Sequence, residues 1–139
     1  MIAIPHAVLV DVAARACAAF PHECCGYLVG PRGGDAVDEL VACSNADPAA
    51  ADGFAIDGAE LFAFARSLRG ERPARVVYHS HPNGRAYFSA TDRARADEAR
   101  YPVCHLVVGV TAAGASEAAL FGEAPGCAEL SRWPAAMLR

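Results

Sequence analysis

Residues 75–92 read RVVYHSHPNGRAYFSATD and combine the signals of a strand, a turn and a helix. The valine and aromatic content of residues 75–81 predicts a buried strand. Pro82 ends this strand because proline has no backbone N–H to extend a ladder, and the Asn-Gly pair that follows predicts a turn. Ser89 is a suitable N-cap residue for a polar helix that we expect to end near Arg100. A strand, a turn and a helix therefore follow one another directly.

Strands and helices alternate on both sides of this stretch. The spacing of apolar residues predicts helices over 5–20 and 57–68, the second of them capped by Asp57. Apolar runs predict strands over 25–29, 36–43, 103–111, 116–121 and 128–133. Residues 44–53 are polar and rich in alanine, which indicates a surface loop. Because strands and helices interleave, we expect an α/β (α+β) fold in which helices flank both faces of a mixed β-sheet.

Length and composition exclude several classes of protein. The chain has 139 residues without repeats or long linkers, so we expect a single domain over residues 1–139. Its 54% hydrophobic and 20% charged residues exclude intrinsic disorder, and its net charge of −4 argues against a nucleic-acid partner. The six cysteines show no disulfide framework, and no apolar run is long enough to span a membrane. We therefore expect a soluble, cytoplasmic protein with reduced cysteines and no membrane partner.

Two histidines and an aspartate form the first candidate site. His79 and His81 stand two residues apart on the predicted strand, so both side chains project from the same face. Two imidazoles there suit a borderline ion such as zinc, and Asp92 in the next helix would leave a fourth position for water. The alternatives are ordinary strand-end histidines and a capping box formed by Ser89 and Asp92. We expect Asp92 to serve only one of these two purposes.

Glu23 is the second candidate, because it stands where the first helix gives way to a buried strand. An acid at the head of an apolar strand is costly to bury without a partner. Facing a metal-bound water, Glu23 would be able to accept a proton as a general base. The alternative is a solvated loop carboxylate, which is the usual state of glutamate. The pair His22-Glu23 does not begin an H-E-x-x-H zincin motif, because residue 26 is glycine.

The two candidate sites together resemble the signature of the JAMM (MPN+) metallopeptidase family. The matching motifs are Glu23-x-Cys25-Gly26-x-Leu28 and His79-x-His81-Pro82, the latter followed after six residues by Ser89-x-x-Asp92. The resemblance covers the chain from about Ile4 to Phe121 and is to the short prokaryotic branch of the family. It implies an MPN/JAMM-type layered domain, similar to the cytidine deaminases in architecture. Phe88 stands where many members of the family have proline.

The resemblance also implies a role for each site residue. His79, His81 and Asp92 would bind one zinc ion (Zn2+), with water as the fourth ligand. Glu23 would take the proton of that water, and the Ser89 hydroxyl would stabilise the developing oxyanion. The first motif's cysteine and glycine look structural, the glycine because it permits close backbone approach.

Members of this family cut peptide or isopeptide bonds after Gly-Gly, and some short prokaryotic members process ubiquitin-like sulfur-carrier proteins. The resemblance therefore implies a zinc-dependent peptidase or isopeptidase acting on a small ubiquitin-like or sulfur-carrier protein. The alternative is a non-catalytic MPN-type interaction module, but such relatives have lost metal ligands that this chain retains. A zinc nucleoside deaminase does not fit, because the chain has no C-x-x-C pair. The sequence leaves the oligomeric state open.

Overall fold

The computed structural model describes residues 1–47, 49–51 and 53–139, and within these ranges it contains three α-helices and six strands. In chain order they are α1 (His6–Ala19), β1 (Cys25–Val29), β2 (Glu39–Cys43), α2 (Gly58–Ser67), β3 (Ala74–His81), α3 (Ala90–Ala99), β4 (Cys104–Thr111), β5 (Gly114–Phe121) and β6 (Glu129–Pro134). A short 3₁₀ helix, Ala135–Leu138, follows β6. Among the helices of these ranges, none has the length and apolar character needed to cross a bilayer.

The strands form one mixed sheet in the order β2-β1-β3-β4-β5-β6. The β3–β4 pair is parallel, whereas the other four pairs are antiparallel. A parallel pair needs a crossover connection, and the segment that contains α3 supplies it. The mixed sheet predicted from the sequence is confirmed.

The helices cover both faces of this sheet, as predicted. Residues of α1 such as Leu9 and Val12 are buried against one face, where Val76 of β3 contributes to the same core. On the other face, Phe64 of α2 packs edge-to-face on Tyr27 of β1, with 5.3 Å between the ring centroids. Side chains alternate along a strand, so every second residue of β3 faces α2 and α3. This second face carries the candidate site.

Two strands begin two or more residues away from the predicted start, and one predicted helix cap is absent. Strand β2 begins at Glu39 rather than at residue 36, because Ala36 instead forms an isolated parallel bridge with Ala3. Strand β5 begins at Gly114, two residues before the predicted start. Helix α2 does begin after Asp57, but the Asp57 side chain makes no capping hydrogen bond. Each of these differences depends on contacts that a local pattern does not contain.

Candidate metal centre

His79 and His81 lie at the carboxyl end of β3, and both side chains are buried against α3. Their Nε2 atoms are 3.1 Å apart. Oδ2 of Asp92, in the first turn of α3, lies 3.1 Å from Nε2 of His79 and 3.2 Å from Nε2 of His81. The expectation that both imidazoles project from one face is therefore confirmed, and the aspartate meets them there.

The spacing of these three donor atoms tests whether a metal ion fits. Donor atoms bound to one tetrahedral zinc ion at roughly 2.0–2.1 Å lie about 3.3–3.4 Å from one another. The observed separations of 3.1, 3.1 and 3.2 Å are close to that value. Two imidazole nitrogens and one carboxylate oxygen are also ligands that zinc prefers. The cluster could therefore hold a divalent metal ion such as zinc.

The hydrogen bond on the far side of His81 sets the tautomer of this ring. Nδ1 of His81 lies 3.2 Å from the carbonyl oxygen of Arg85. A carbonyl can only accept, so Nδ1 carries the hydrogen and Nε2 of the neutral ring presents its lone pair to the cluster. His79 is held differently, by stacking on Phe54 with 4.5 Å between ring centroids. Burial lowers the pKa of His79, which favours the neutral ring that a metal needs.

Asp92 both forms the capping box with Ser89 and faces the two histidines, so one carboxylate is placed for both of the purposes that were expected to be exclusive. The Ser89 backbone N–H donates to Oδ2 of Asp92 at 3.1 Å, and the Asp92 N–H donates to Oγ of Ser89 at 3.0 Å. The same Oδ2 atom contacts both histidines, because the capped end of α3 points at β3. Burial alone would raise the pKa of Asp92, but the proximity of the His79 and His81 side chains lowers it well below its usual value.

Glu23 approaches the same histidines from the segment before β1. Its side chain is only 6% exposed, so Glu23 is not a solvated loop carboxylate. One ligand atom each from Glu23, His79 and His81 lie within 4.8 Å of one another, whereas Oε1 of Glu23 has no hydrogen-bond partner among the residues described. Burial raises the pKa of Glu23 to about 7, and the nearby His81 opposes this rise.

Asn45 holds the backbone of Glu23, and this residue was not among those predicted for the site. Nδ2 of Asn45 donates to the carbonyl oxygens of Glu23 and Gly53, each at 2.9 Å. The Glu23 N–H in turn donates to the carbonyl of Ala50 at 2.7 Å. The segment predicted to be a surface loop therefore packs against the site. A single asparagine in a polar segment is no local signal of this role, because the contact joins residues 22 positions apart.

Ser89 and Ser80 differ in their relation to the site. The bond from the Asp92 N–H uses a lone pair of the Ser89 Oγ, so the Ser89 hydroxyl hydrogen remains available to donate. Ser80, between the two histidines, faces the other side of the sheet and accepts the Cys24 N–H at 2.8 Å. Burial raises the pKa of the Cys24 thiol, which makes it a poor nucleophile.

Two cavities adjoin the cluster. A polar cavity of about 280 Å³ contains the candidate site residues Glu23, His81, Ser89 and Asp92 in its wall. An apolar cavity of about 270 Å³ lies between α2 and α3 and also reaches Asp92. The wall of the second cavity includes Phe88, which packs inward on Phe121 with 5.4 Å between ring centroids. The polar cavity is the one whose wall brings Glu23, His81 and Ser89 to a common space.

Known proteins resemble this chain in sequence. A family model described as prokaryotic homologs of the JAB domain matches residues 5–121. Proteins named CysO-cysteine peptidase, from Mycobacterium bovis and Mycobacterium tuberculosis, are 34% identical over 90 residues. The matched part is 63% of this chain and 58% of each peptidase, so the chain spans little more than half the length of these relatives.

Solved structures share the fold. A protein from Desulfitobacterium hafniense superposes with a TM-score of 0.69 at 26% identity, over 94% of this chain and 90% of that one. A protein from Salinibacter ruber gives 0.63 at 26% identity, over 96% and 88%. A JAB1/MPN domain protein from Archaeoglobus fulgidus gives 0.62 at 18% identity, over 94% and 95%. The last match shows a common architecture of mixed sheet and flanking helices.

Proposed function

The chain belongs to the family of prokaryotic homologs of the JAB domain, and from this membership and the geometry of its buried cluster we propose that it is a zinc-dependent peptidase. The observation that carries the proposal is the triangle formed by Nε2 of His79, Nε2 of His81 and Oδ2 of Asp92. We place the activity in a single domain over residues 1–139.

In this proposal His79, His81 and Asp92 hold one zinc ion. When bound, zinc supplies Lewis-acid chemistry and lowers the pKa of water toward 7. The neutral rings of His79 and His81 would present their Nε2 lone pairs to the ion, and the ionised Asp92 would contribute one negative charge. Arg85 fixes the orientation of His81 by accepting the Nδ1 hydrogen. The ligands are thus pre-oriented before any metal arrives.

Glu23 acts as the general base that takes the proton from the attacking water. Its carboxyl group is buried beside the histidines, and its Oε1 atom is not engaged by any residue described. A carboxyl whose pKa is near 7 is a strong enough base to accept a proton at neutral pH. A bound zinc ion would lower that pKa and so favour the ionised carboxylate, which is the form that accepts the proton. The same carboxyl then returns the proton to the departing amine.

Ser89 stabilises the carbonyl oxygen of the scissile bond as negative charge develops on it. The Ser89 Oγ is held in place because it caps α3, while its hydroxyl hydrogen is available for the substrate. A donor fixed in advance costs no reorganisation during the reaction. The peptide bond is cleaved by one water, which yields a carboxylate on one product and an amine on the other.

We propose that the substrate is a small ubiquitin-like or sulfur-carrier protein cut after a C-terminal Gly-Gly. The proposal is supported by the name of the relatives, CysO-cysteine peptidase, which describes a peptidase that acts on CysO-cysteine. The polar cavity that contains Glu23 and Ser89 has a volume of about 280 Å³. Because glycine lacks a side chain, a Gly-Gly segment is able to bring its backbone close to buried groups in so small a space.

Intact-mass spectrometry tests this function. A sulfur-carrier protein with an extension after Gly-Gly is incubated with the zinc-loaded chain and, in parallel, with its Glu23→Gln variant, and the zinc content of both is measured. We expect a mass loss ending at Gly-Gly with the wild-type chain only. No mass loss from zinc-loaded wild type would contradict the proposed substrate. Failure on a panel of Gly-Gly substrates would favour the non-catalytic interaction module.

A further inference from the structure

The loop between β3 and α3 is held by side chains from the far edge of the sheet. The Ala86 N–H donates to Oε2 of Glu117 on β5 at 2.7 Å. The Ala86 carbonyl accepts from Nη2 of Arg132 on β6 at 2.8 Å, and Nη1 of Arg132 lies 3.1 Å from the same Glu117 oxygen. The ion pair of Glu117 and Arg132 therefore makes hydrogen bonds to both backbone polar groups of Ala86.

These contacts matter for the site because the Ala86 N–H belongs to the peptide unit whose carbonyl contacts His81. The Ala86 N–H and the Arg85 carbonyl belong to the same planar peptide unit, in which the two groups point in opposite directions. Glu117 holds the N–H end of this unit, and Nδ1–H of His81 donates to the carbonyl end at 3.2 Å. Fixing one end of a rigid plane fixes the direction of the other.

The same contact also affects the strength of the hydrogen bond at the carbonyl. Hydrogen bonds in a chain polarise one another, so a carboxylate on the N–H makes the carbonyl of that peptide a better acceptor. A better acceptor for Nδ1–H raises the electron density at the other nitrogen of the ring. The negative charge of Glu117 thereby raises the electron density at Nε2 of His81, the atom that faces the cluster.

The part of the loop before Ala86 packs closely against β4 and β5. Gly109 of β4 has no side chain at the point where the loop crosses the strand. A Cβ atom at Gly109 would lie 2.5 Å from backbone atoms of Gly84 and 2.6 Å from the Arg85 nitrogen. The Ser116 hydroxyl, next to Glu117, donates to the Gly84 carbonyl. The loop therefore rests directly on β4 and β5, and the peptide unit has little room to rotate.

We propose that Glu117, supported by Arg132, is a positioning residue that holds His81 in its metal-binding tautomer. This inference rests on the proposed metal centre, since a tautomer is useful only if Nε2 binds an ion. Glu117 and Arg132 are not part of the polar cavity wall and act through the Arg85–Ala86 peptide. The chemical result is stronger binding of a divalent cation at His81.

Zinc affinity, measured by competition with a chromogenic chelator on the whole folded chain, is the first test. Removal of an outer partner of a ligating histidine weakens metal binding by about 10–100-fold. We expect a loss of that size in Glu117→Ala and a much smaller loss, about threefold, in Glu117→Gln, whose amide oxygen still accepts the Ala86 N–H. Glu129→Gln is the matched control, because it breaks an exposed contact of Arg132 without touching Ala86.

Two further results keep the inference separate from the proposed function. If wild type binds no zinc, the metal centre itself fails. If wild type binds zinc and folded Glu117→Ala binds it equally well, only this inference is overturned. Nitrogen-15 NMR of the metal-free wild type covers the case in which Glu117→Ala does not fold. We expect the neutral His81 ring to carry its hydrogen on Nδ1, and an Nε2–H tautomer would overturn the inference.

Discussion

Ser89 and Asp92 form a reciprocal capping box at the start of α3, and the Asp92 oxygen that completes this box is the atom that faces both histidines. The hydrogen bonds that cap α3 therefore also place the Asp92 carboxylate beside the two histidines. The N-terminal end of a helix is also electropositive, which favours an ionised carboxylate there. The cap holds the candidate ligand in a fixed position at the carboxyl end of β3.

Replacement of Asp92 separates these two roles. In Asp92→Asn the amide oxygen still accepts the Ser89 N–H, but the negative charge is lost; in Asp92→Ala both are lost. We expect both variants to bind zinc more than about 100-fold more weakly than wild type, beyond the effect of an outer partner. Only Asp92→Ala should also lose about 1 kcal/mol of unfolding free energy, the usual value of a cap. Stoichiometric zinc in either variant at wild-type affinity would leave Asp92 with the capping role alone.

Glu23→Gln should remove the general base without removing the metal. The variant keeps the size of the side chain and its backbone contacts with Ala50 and Asn45. We expect unchanged zinc content and a fall in kcat of about 10²–10⁴-fold, the contribution typical of general acid–base catalysis. Glu98→Gln, on an exposed position of α3, is the control and should be fully active. Cleavage by Glu23→Gln at the wild-type rate would exclude Glu23 as the base.

Gly26→Ala should destabilise the fold, because β1 passes too close to its neighbours for a side chain. A Cβ atom there would lie 2.4 Å from the carbonyl oxygen of Val41 and 2.5 Å from the hydroxyl of Tyr78. Overpacking of this kind costs about 1–3 kcal/mol, measured by urea unfolding. Gly122→Ala is the matched control, since its nearest contact is 3.6 Å away, and should change stability by less than about 0.5 kcal/mol. Equal stability of the two variants would refute this account.

His105 should make the stability of the fold depend on pH. Burial lowers the pKa of His105 from 6.5 to about 4, with His79 adding to the decrease and Asp92 opposing it. Between these two values the unfolded chain binds a proton that the folded chain does not, so stability falls as the pH decreases through this window. At 1.36 kcal/mol per unit, and allowing for partial solvent access, the loss is about 2 kcal/mol.

Urea unfolding of wild type and His105→Gln at a series of pH values between 7 and 4 measures this dependence. The variant has no imidazole at this position, so we expect its stability to fall less steeply than that of wild type. The unfolding free energy of wild type minus that of the variant should be largest at the neutral end of the window. Parallel curves for the two proteins would show that His105 does not contribute to the pH dependence.

Local patterns were sufficient for most elements and for part of the site. The two-residue period of β3 placed His79 and His81 on one face, and the Ser-x-x-Asp pattern placed Asp92 in the first turn of α3. Both are properties of a few neighbouring residues, which a sequence displays directly. The boundaries of β2 and the missing cap at Asp57 were not predictable in this way, because they depend on contacts with distant segments.

The amino-acid sequence shows directly which side chains are available for chemistry and which of them share a strand face or a helix turn. The meeting of Glu23 with the histidines depends on the assembled fold, because antiparallel pairing of β1 with β3 sets Cys25 beside His79 across a separation of 54 residues along the chain. The contacts of Arg85, Glu117 and Arg132 likewise require three strands to be assembled. The physical reason is that side-chain direction follows from local backbone geometry, whereas proximity follows from strand order and register.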